Sequence, residues 1–254
     1  MTKNKFLFPL VKCMIFTVSE SSSSLIKNSP KYTGSKYANI LSTQISPLTE
    51  KLNFSAPLAV IDLETTGLDS RVDRIIEIGI IFLDTQLKIQ EEFSTFINPQ
   101  RSIDATFIHG ITAQDVINAP IFSEISENLA SLLAGRIIVA HNASFDISFL
   151  NQEFLRAGTN FQIPTSASIC TLQQSWIYCE PGPHSLIKLI ERLNLKVKPC
   201  HRALADAAAS LMLLTLYTER ELKNNRFTNL AFNHQGNKIM PNKYIVQACI
   251  PKLF

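Results

Sequence analysis

The sequence predicts an α/β fold, a mixed sheet of three antiparallel strands followed by parallel strands and flanked by helices. Two observations predict it. Between Pro57 and Ile97 three short β-rich runs follow one another with short connections, the pattern of an antiparallel meander. From Ile121 onward, helical spacing alternates with short apolar runs, the pattern of helices laid on a sheet. No internal repeat and no glycine-rich phosphate loop interrupts this order.

Each element has its own signal. The first three strands are Leu58–Leu63, Arg74–Leu83 and Glu91–Ile97, separated by the turn-like Gly67-Leu-Asp69 and Asp84–Gln86. Ile121, Ile125, Leu129, Leu132 and Leu133 then recur at helical spacing, and Gly135 is a C-terminal stop. A fourth strand follows at Arg136–Ala140. Ser144–Ala157 reads as a helix closed by Gly158, and Ile169–Leu172 as a short fifth strand. Two helices complete the order, His184–Leu193 and Arg202–Leu222. The last carries Ala203, Ala207, Ser210 and Leu214 along one stripe, small enough to let a helix approach a sheet closely.

The chain has 254 residues, enough for one large domain or one domain with extensions. Residues 1–55 are rich in Ser, Asn, Lys and Thr and read as a disordered or targeting arm; 56–222 form the domain, and 223–254 a basic tail. The net charges of residues 1–55, 56–220 and 221–254 are +5, −6 and +4, an acidic body between basic ends. Basic ends can touch phosphates, although solvated termini account for them as simply. Cys13, Cys170, Cys179, Cys200 and Cys249 are odd in number and lack disulfide-like spacing, which fits a reducing, cytoplasmic compartment. Met1–Val18 has Lys3 and Lys5 ahead of an apolar run, but Lys12 interrupts it and no small-residue cleavage site follows. An untargeted tail is favoured over a secretion or organelle signal. No run reaches the ~18 apolar residues of a membrane span, and no membrane partner is expected.

The chemistry starts in Leu58-Ala-Val-Ile-Asp-Leu-Glu-Thr-Thr-Gly67. Asp62 and Glu64 are two apart on a strand, hence on one face, with Ile61 and Leu63 on the other. Neighbouring acids in an apolar setting repel and lose hydration, which raises the pKa of at least one. A divalent cation removes both penalties, and oxygen ligands suit Mg2+ or Mn2+. Asp146 follows the strand Arg136–Ala140 in the first turn of the next helix; Asp206 sits among Ala and Leu in His201-Arg-Ala-Leu-Ala-Asp206. Taken singly, an acid in a first turn is more often a dipole partner. His201 and Asp206 are five apart, which separates them by about 140° on one helix. A joint role places His201 before the helix, where Lys198-Pro199 makes a loop.

Val60-Ile-Asp-Leu-Glu-Thr-Thr-Gly67, Ile108-His-Gly-Ile-Thr112, His141-Asn-Ala-Ser-Phe-Asp146 and His201-Arg-Ala-Leu-Ala-Asp206 stand in this order. Together they resemble the DEDDh, or DnaQ-like, 3′–5′ exonucleases, the family of the proofreading epsilon subunit of bacterial DNA polymerase III. The resemblance covers about residues 57–218. It implies a ribonuclease H-like fold in which Asp62, Glu64, Asp146 and Asp206 hold two metal ions and His201 is the general base. The Tyr branch of the family has its Tyr four residues before the last acid; Arg202 stands there, so the His branch fits. Histidine titrates near neutrality and suits the removal of a proton from water. Thr65, Gly67 and Leu68 would face the terminal nucleotide, His109 and Ile111 would pack on its base and sugar, and Asn142 would position the Asp146 loop.

The expected activity is removal of nucleoside 5′-monophosphates from single-stranded or frayed DNA 3′ ends. Two alternatives stand beside it, an exoribonuclease trimming RNA ends and an inactive module binding a polymerase or nucleic acid. Any DNA polymerase or sliding-clamp partner would be another chain; Ile250-Pro-Lys-Leu-Phe254 resembles the ends of clamp-binding peptides, or is a simple apolar tail. His109-Gly110 also reads as a turn needing a positive φ, Thr112 as a helix cap and Asn142 as an Asx-type cap. Cys200 reads as a buried structural thiol rather than a nucleophile. Cys179, His184, Cys200 and His201 lack zinc-site spacing. Trp176 and Tyr178 read as core or surface residues before stacking platforms.

Overall fold

In the computed structural model, which describes residues 54–104 and 106–241, the predicted meander forms three strands of a five-stranded sheet. Its strands are β1 (Leu58–Thr65), β2 (Ile75–Leu83), β3 (Ile89–Phe96), β4 (Ile137–Ala140) and β5 (Ser168–Cys170). The spatial order is β3-β2-β1-β4-β5, with β1–β2 and β2–β3 antiparallel and β1–β4 and β4–β5 parallel. The strand bearing Asp62 and Glu64 is therefore central. Strands covered on both faces read as continuous apolar runs, and β1 and β2 do so except at their acids. β3 is the edge, blunted by exposed Gln90 and Glu91.

The helices are α1 (Thr106–His109), α2 (Ala113–Val116), α3 (Phe122–Leu133), α4 (Ala143–Ala157), α5 (Thr171–Tyr178), α6 (Leu186–Arg192) and α7 (Ala203–Leu222). Alternation along β1 divides the core. Ala59, Ile61 and Leu63 pack with Phe122, Leu129 and Leu133 of α3 and Phe149, Leu150 and Phe154 of α4. Leu58 and Val60 point the other way, against Ala207, Ala208 and Leu211 of α7. Asp62 and Glu64 continue that second face, so the acids emerge under α7. A third cluster joins Ile177 and Tyr178, Leu189 and Ile190, and Leu213 and Tyr217 with Ala231 and Ile239.

The small-residue stripe on α7 has a partner in β2. A methyl group at Gly79 would lie 2.2 Å from the Leu204 nitrogen and 2.3 Å from the Ala203 carbonyl carbon. The first turn of α7 thus rests on the backbone of Gly79, which pairs with Asp62 in register. At the other end of β1 the register shifts between Glu64 and Thr65, a bulge of the sort that turns a strand's end.

Most boundaries shift by one or two residues, and around the fifth strand the difference is larger. The strand expected over Ile169–Leu172 is Ser168–Cys170, and Thr171 opens α5, a helix the pattern did not show. Its parallel partner β4 ends at Ala140, opposite Cys170, so no strand remains to pair with Thr171 or Leu172. Cys179, at the end of α5, is buried, whereas Cys200 is exposed, contrary to the buried thiol expected from composition. The loop before α7 carries Cys200 outward. Tyr178 is buried, stacked on Tyr217 at 5.3 Å and donating to Glu221 at 2.9 Å; Trp176 packs edge-on against His234. Among the described residues no helix is long and apolar enough to cross a membrane. The segment Ile250–Phe254 lies outside the described residues.

Candidate active site

The two acids of β1 meet the start of α7 because Gly79 lets the helix down onto the sheet beside them. Asp206 lies in the first turn of α7, and its Oδ1 accepts the Cys200 N–H at 2.9 Å. His201 is not helical. Its φ is +54°, in the left-handed region, and Arg202 caps α7 after it. This places the His before the helix, as the five-residue spacing requires. One ligand atom each of Glu64, His201 and Asp206 lie within 4.8 Å of one another. Asp146 comes from the opposite layer, buried in the first turn of α4 immediately after β4.

The acids behave electrostatically as one group. Burial raises the Asp62 carboxyl well above its ordinary value, and Asp146, Asp206, Glu64 and Glu77 raise it further. Burial and then Asp206 and Glu77 push Glu64 up to about 8, with Arg202 pulling it back. Asp146 is raised by burial and by Glu64, against its own backbone N–H, and Asp206 by burial against the Cys200 N–H and His201. Such an arrangement holds protons it would release to a cation. An all-carboxylate donor set with one neighbouring imidazole fits hard divalent ions.

A scan of family models matches the exonuclease family over residues 59–214. The chain belongs to that family. It is 35% identical to the DNA polymerase III epsilon subunit of Treponema pallidum over 170 residues, 65% of this chain and 77% of that protein. It is 36% identical over 166 residues to the 3′-5′ exonuclease DinG of Bacillus subtilis, 63% of this chain but 17% of DinG. With the PolC-type DNA polymerase III of Oceanobacillus iheyensis it shares 33% over 181 residues, 70% of this chain and 12% of that protein. The chain thus spans most of an epsilon subunit and a small part of the larger relatives. Among solved structures, E. coli exonuclease I with a dT13 oligonucleotide matches with a TM-score of 0.58 at 19% identity, over 66% of this chain and 42% of that one. A 3′-exonuclease studied in 3′-end-specific recognition of histone mRNA stem-loop matches with a TM-score of 0.58 at 18% identity, over 78% and 96%. Both show the ribonuclease H-like α/β fold of this exonuclease domain.

The strand end beyond the acids is tied down. Thr65 Oγ1 donates to the Gly67 carbonyl at 2.6 Å, and Thr66 Oγ1 to Asp73 at 3.1 Å. Gly67 lies so close to the Asp73 carboxylate that a Cβ would fall 2.4 Å from it. Leu68, next in the chain, is 84% exposed. His109 is buried, and its Nδ1 accepts the Ile111 N–H at 3.0 Å, which fixes the proton on Nε2; that Nε2 has no partner among the described residues. Gly110 does take a positive φ, +70°. Ile111 is packed into a small cluster with Ile76 and Val116, away from solvent. Thr112 caps α2 in a box with Asp115, whose carboxylate accepts its N–H at 2.8 Å. Asn142 is exposed at φ +75°, and its side chain caps nothing.

Three groups that matter here escaped the sequence reading. Glu77 of β2 faces Glu64 in register and binds Arg202. The lone charge in the apolar run Ile75–Leu83 was its signal, the same signal that singled out Asp62 and Glu64. His141, held neutral by burial that lowers its pKa to about 4, bridges Thr171 Oγ1 at 3.0 Å and the His184 carbonyl at 3.1 Å, anchoring the turn before Asp146. Glu153, 1% exposed, binds Arg74 at 2.6 Å and Arg156 at 3.2 Å, and Arg156 also donates to the Ser70 and Asp73 carbonyls. That set fixes the loop carrying Leu68. Nothing in their spacing marks these last partners.

Proposed function

We propose that this chain is a metal-dependent 3′–5′ exonuclease that removes nucleoside 5′-monophosphates from single-stranded or frayed DNA 3′ ends, in proofreading or repair. The observation that carries the reading is the convergence of four proton-holding carboxylates, from β1, α4 and α7, beside a histidine turned out of its helix. The names of the epsilon and DinG relatives support the direction and the polymer.

Asp62, Glu64, Asp146 and Asp206 would hold two Mg2+ or Mn2+ ions. When bound, the ions supply Lewis acidity, acidifying water and stabilising charge on the attacking and leaving oxygens. His201 accepts the proton of the attacking water, and its exposure lets that proton pass on to solvent. Leu68, exposed at the end of β1, and the backbone around Thr65 and Gly67 grip the terminal nucleotide. The unpartnered Nε2–H of His109 is a ready donor to an oxygen of that nucleotide, and a buried donor left unmatched costs about 1–3 kcal/mol until something fills it. Asn142, through its left-handed backbone at φ +75°, makes the turn that delivers Asp146. The displaced 3′-oxygen leaves with the shortened strand.

A 5′-labelled oligonucleotide with Mg2+ or Mn2+ should yield a ladder of shortening products, faster on DNA than on matched RNA. Asp62→Ala should reduce it to background; full activity in that variant would sink the assignment. Faster RNA shortening would instead favour the exoribonuclease reading, and no shortening of either polymer the binding-module reading. The epsilon and PolC-type relatives also make a DNA polymerase the expected partner. Contact with a sliding clamp through residues 250–254 is tested by pull-down, and binding that survives their deletion would refute it.

A further inference from the structure

Glu77 is a fifth carboxylate beside the four acids, yet it is occupied in a way they are not. It is 3% exposed, directly opposite Glu64 across β1 and β2. Like charges so placed repel, and Glu77 is held there by donors. Arg202 Nε lies 3.2 and 3.1 Å from its two oxygens, Arg202 Nη2 2.8 Å from Oε1, and the Ala203 N–H 3.1 Å from Oε2. With its oxygens engaged by the guanidinium and a backbone amide, Glu77 serves the entry of α7 rather than a cation. It supplies from β2 the cap that Arg202, lacking a side-chain oxygen, cannot give. The Arg202 guanidinium is also stacked over Phe96 of β3 at 5.2 Å, so it is restrained from two strands.

The residue between these anchors is His201. A non-glycine residue at φ +54° costs on the order of 1 kcal/mol or more and persists only where its surroundings over-determine it. On one side Cys200 is tied to Asp206 through its N–H; on the other Arg202 is tied to Glu77. We infer that Glu77 and Arg202 are positioning residues for the general base, their ion pair locking the left-handed turn that carries the imidazole of His201 over Asp206 and Glu64. The inference rests on the exonuclease reading and on the role given there to His201. Neither residue touches the reacting atoms.

The test is a double-mutant cycle on cleavage of a single-stranded DNA oligonucleotide under single-turnover conditions with Mn2+. Arg202→Gln, at a half-exposed side chain, should lower the cleavage rate about 10–100-fold, the scale of misplacing a catalytic group by about 1 Å. Affinity for the oligonucleotide in Ca2+ should change little, whereas the melting midpoint should fall, because the buried Glu77 carboxylate loses its cation. Arg202→Lys should recover part of the rate, and Glu77→Gln should reproduce the Arg202→Gln loss. In a His201→Ala background, Arg202→Gln should cost less than about 2-fold more, because the group it positions is gone. Unchanged cleavage in Arg202→Gln, a loss that multiplies fully with His201→Ala, or a loss matched by weaker binding would each overturn the inference. If the unaltered chain shortens neither DNA nor RNA, the functional reading fails first, visible without any substitution, and this inference falls with it.

Discussion

Replacing Glu64 with Gln should remove much of the pH dependence of stability that the metal-free chain shows between pH 6.5 and 8. Burial, with Asp206 and Glu77 close by, lifts the Glu64 carboxyl from 4.5 to about 8. In that window an unfolded Glu is ionised while the folded one keeps its proton, so the unfolded state binds one proton fewer and stability falls as pH rises. The slope is about 1.4 kcal/mol per pH unit, or about 2 kcal/mol across the window. This contribution is fully present below pH 4.5 and is lost as pH rises through about 8. His141 works in the opposite sense. Its pKa is lowered from 6.5 to about 4, so it adds stability as pH climbs between those values and little above them.

In a domain of this size about 2 kcal/mol moves the melting midpoint by about 4–8 °C. Calorimetry in EDTA at constant ionic strength, from pH 6.5 to 8, measures it directly. The wild-type midpoint should fall, and Glu64→Gln should be flatter and the more stable of the two at pH 8. Asp62 and Asp146 are raised in the same sense, and partly by Glu64, so the difference between the two proteins, rather than the wild-type slope, reports Glu64 together with its coupling to them. Adding Mn2+ should lift the wild-type midpoint most at pH 8, because metal binding needs ionised acids. A wild-type midpoint in EDTA that is flat or rises over this window, or an equal slope in the Gln variant, would refute the reasoning.

Other substitutions probe the supports. Gly79→Ala puts a methyl 2.2 Å from the Leu204 nitrogen, so α7 must move; urea unfolding should show a loss of about 1–3 kcal/mol, and cleavage should fall as Asp206 shifts from Asp62. Arg156→Ala frees the Ser70 and Asp73 carbonyls and removes one of the two cations on Glu153; it should cost about 1–3 kcal/mol and raise KM for the oligonucleotide more than it lowers kcat. His109→Phe keeps a ring but removes the Nε2–H donor along with the acceptor for the Ile111 N–H, so stability should fall too, and binding of a DNA 3′ end in Ca2+ by the folded variant should weaken about 10-fold, the equivalent of one hydrogen bond. Binding of the His109 variant equal to wild type would show that its orphan donor serves no ligand.

What the chain made legible follows from the range over which each signal acts. The strands β1 to β3 and the helices α3, α4 and α7 are visible because apolar periodicity is local and their lengths allow it to accumulate. α5 is invisible for the opposite reason: eight residues, Thr171–Tyr178, follow directly on a three-residue strand, and the pattern that distinguishes the two has no length in which to develop. The candidate site was legible where an acid sits in an apolar run or a spacing excludes a helix. Asp62, Glu64 and His201 meet that condition, and the order of motifs supplied Asp146 and Asp206.

The supports of the site obey a different logic. Arg202 and Glu77 are 125 residues apart in sequence, and Arg74 and Glu153 are 79 apart. Glu77 alone is marked, as the lone charge of an apolar run, and its partners read as ordinary charges; only the register of β2 against β1, and the descent of α7 onto Gly79, turns Glu77 toward Arg202. That same closure decides the fate of the acids. Asp62 and Glu64 face α7 because β1 alternates, and Asp206 reaches them because Gly79, across from Asp62, has no side chain. A larger residue at position 79 would hold the helix off the sheet and leave four carboxylates with more water and less reason to bind a cation. The glycine in the middle of a strand, costly to that strand by about 0.5–1 kcal/mol, is therefore part of the proposed metal site without contributing an atom to it.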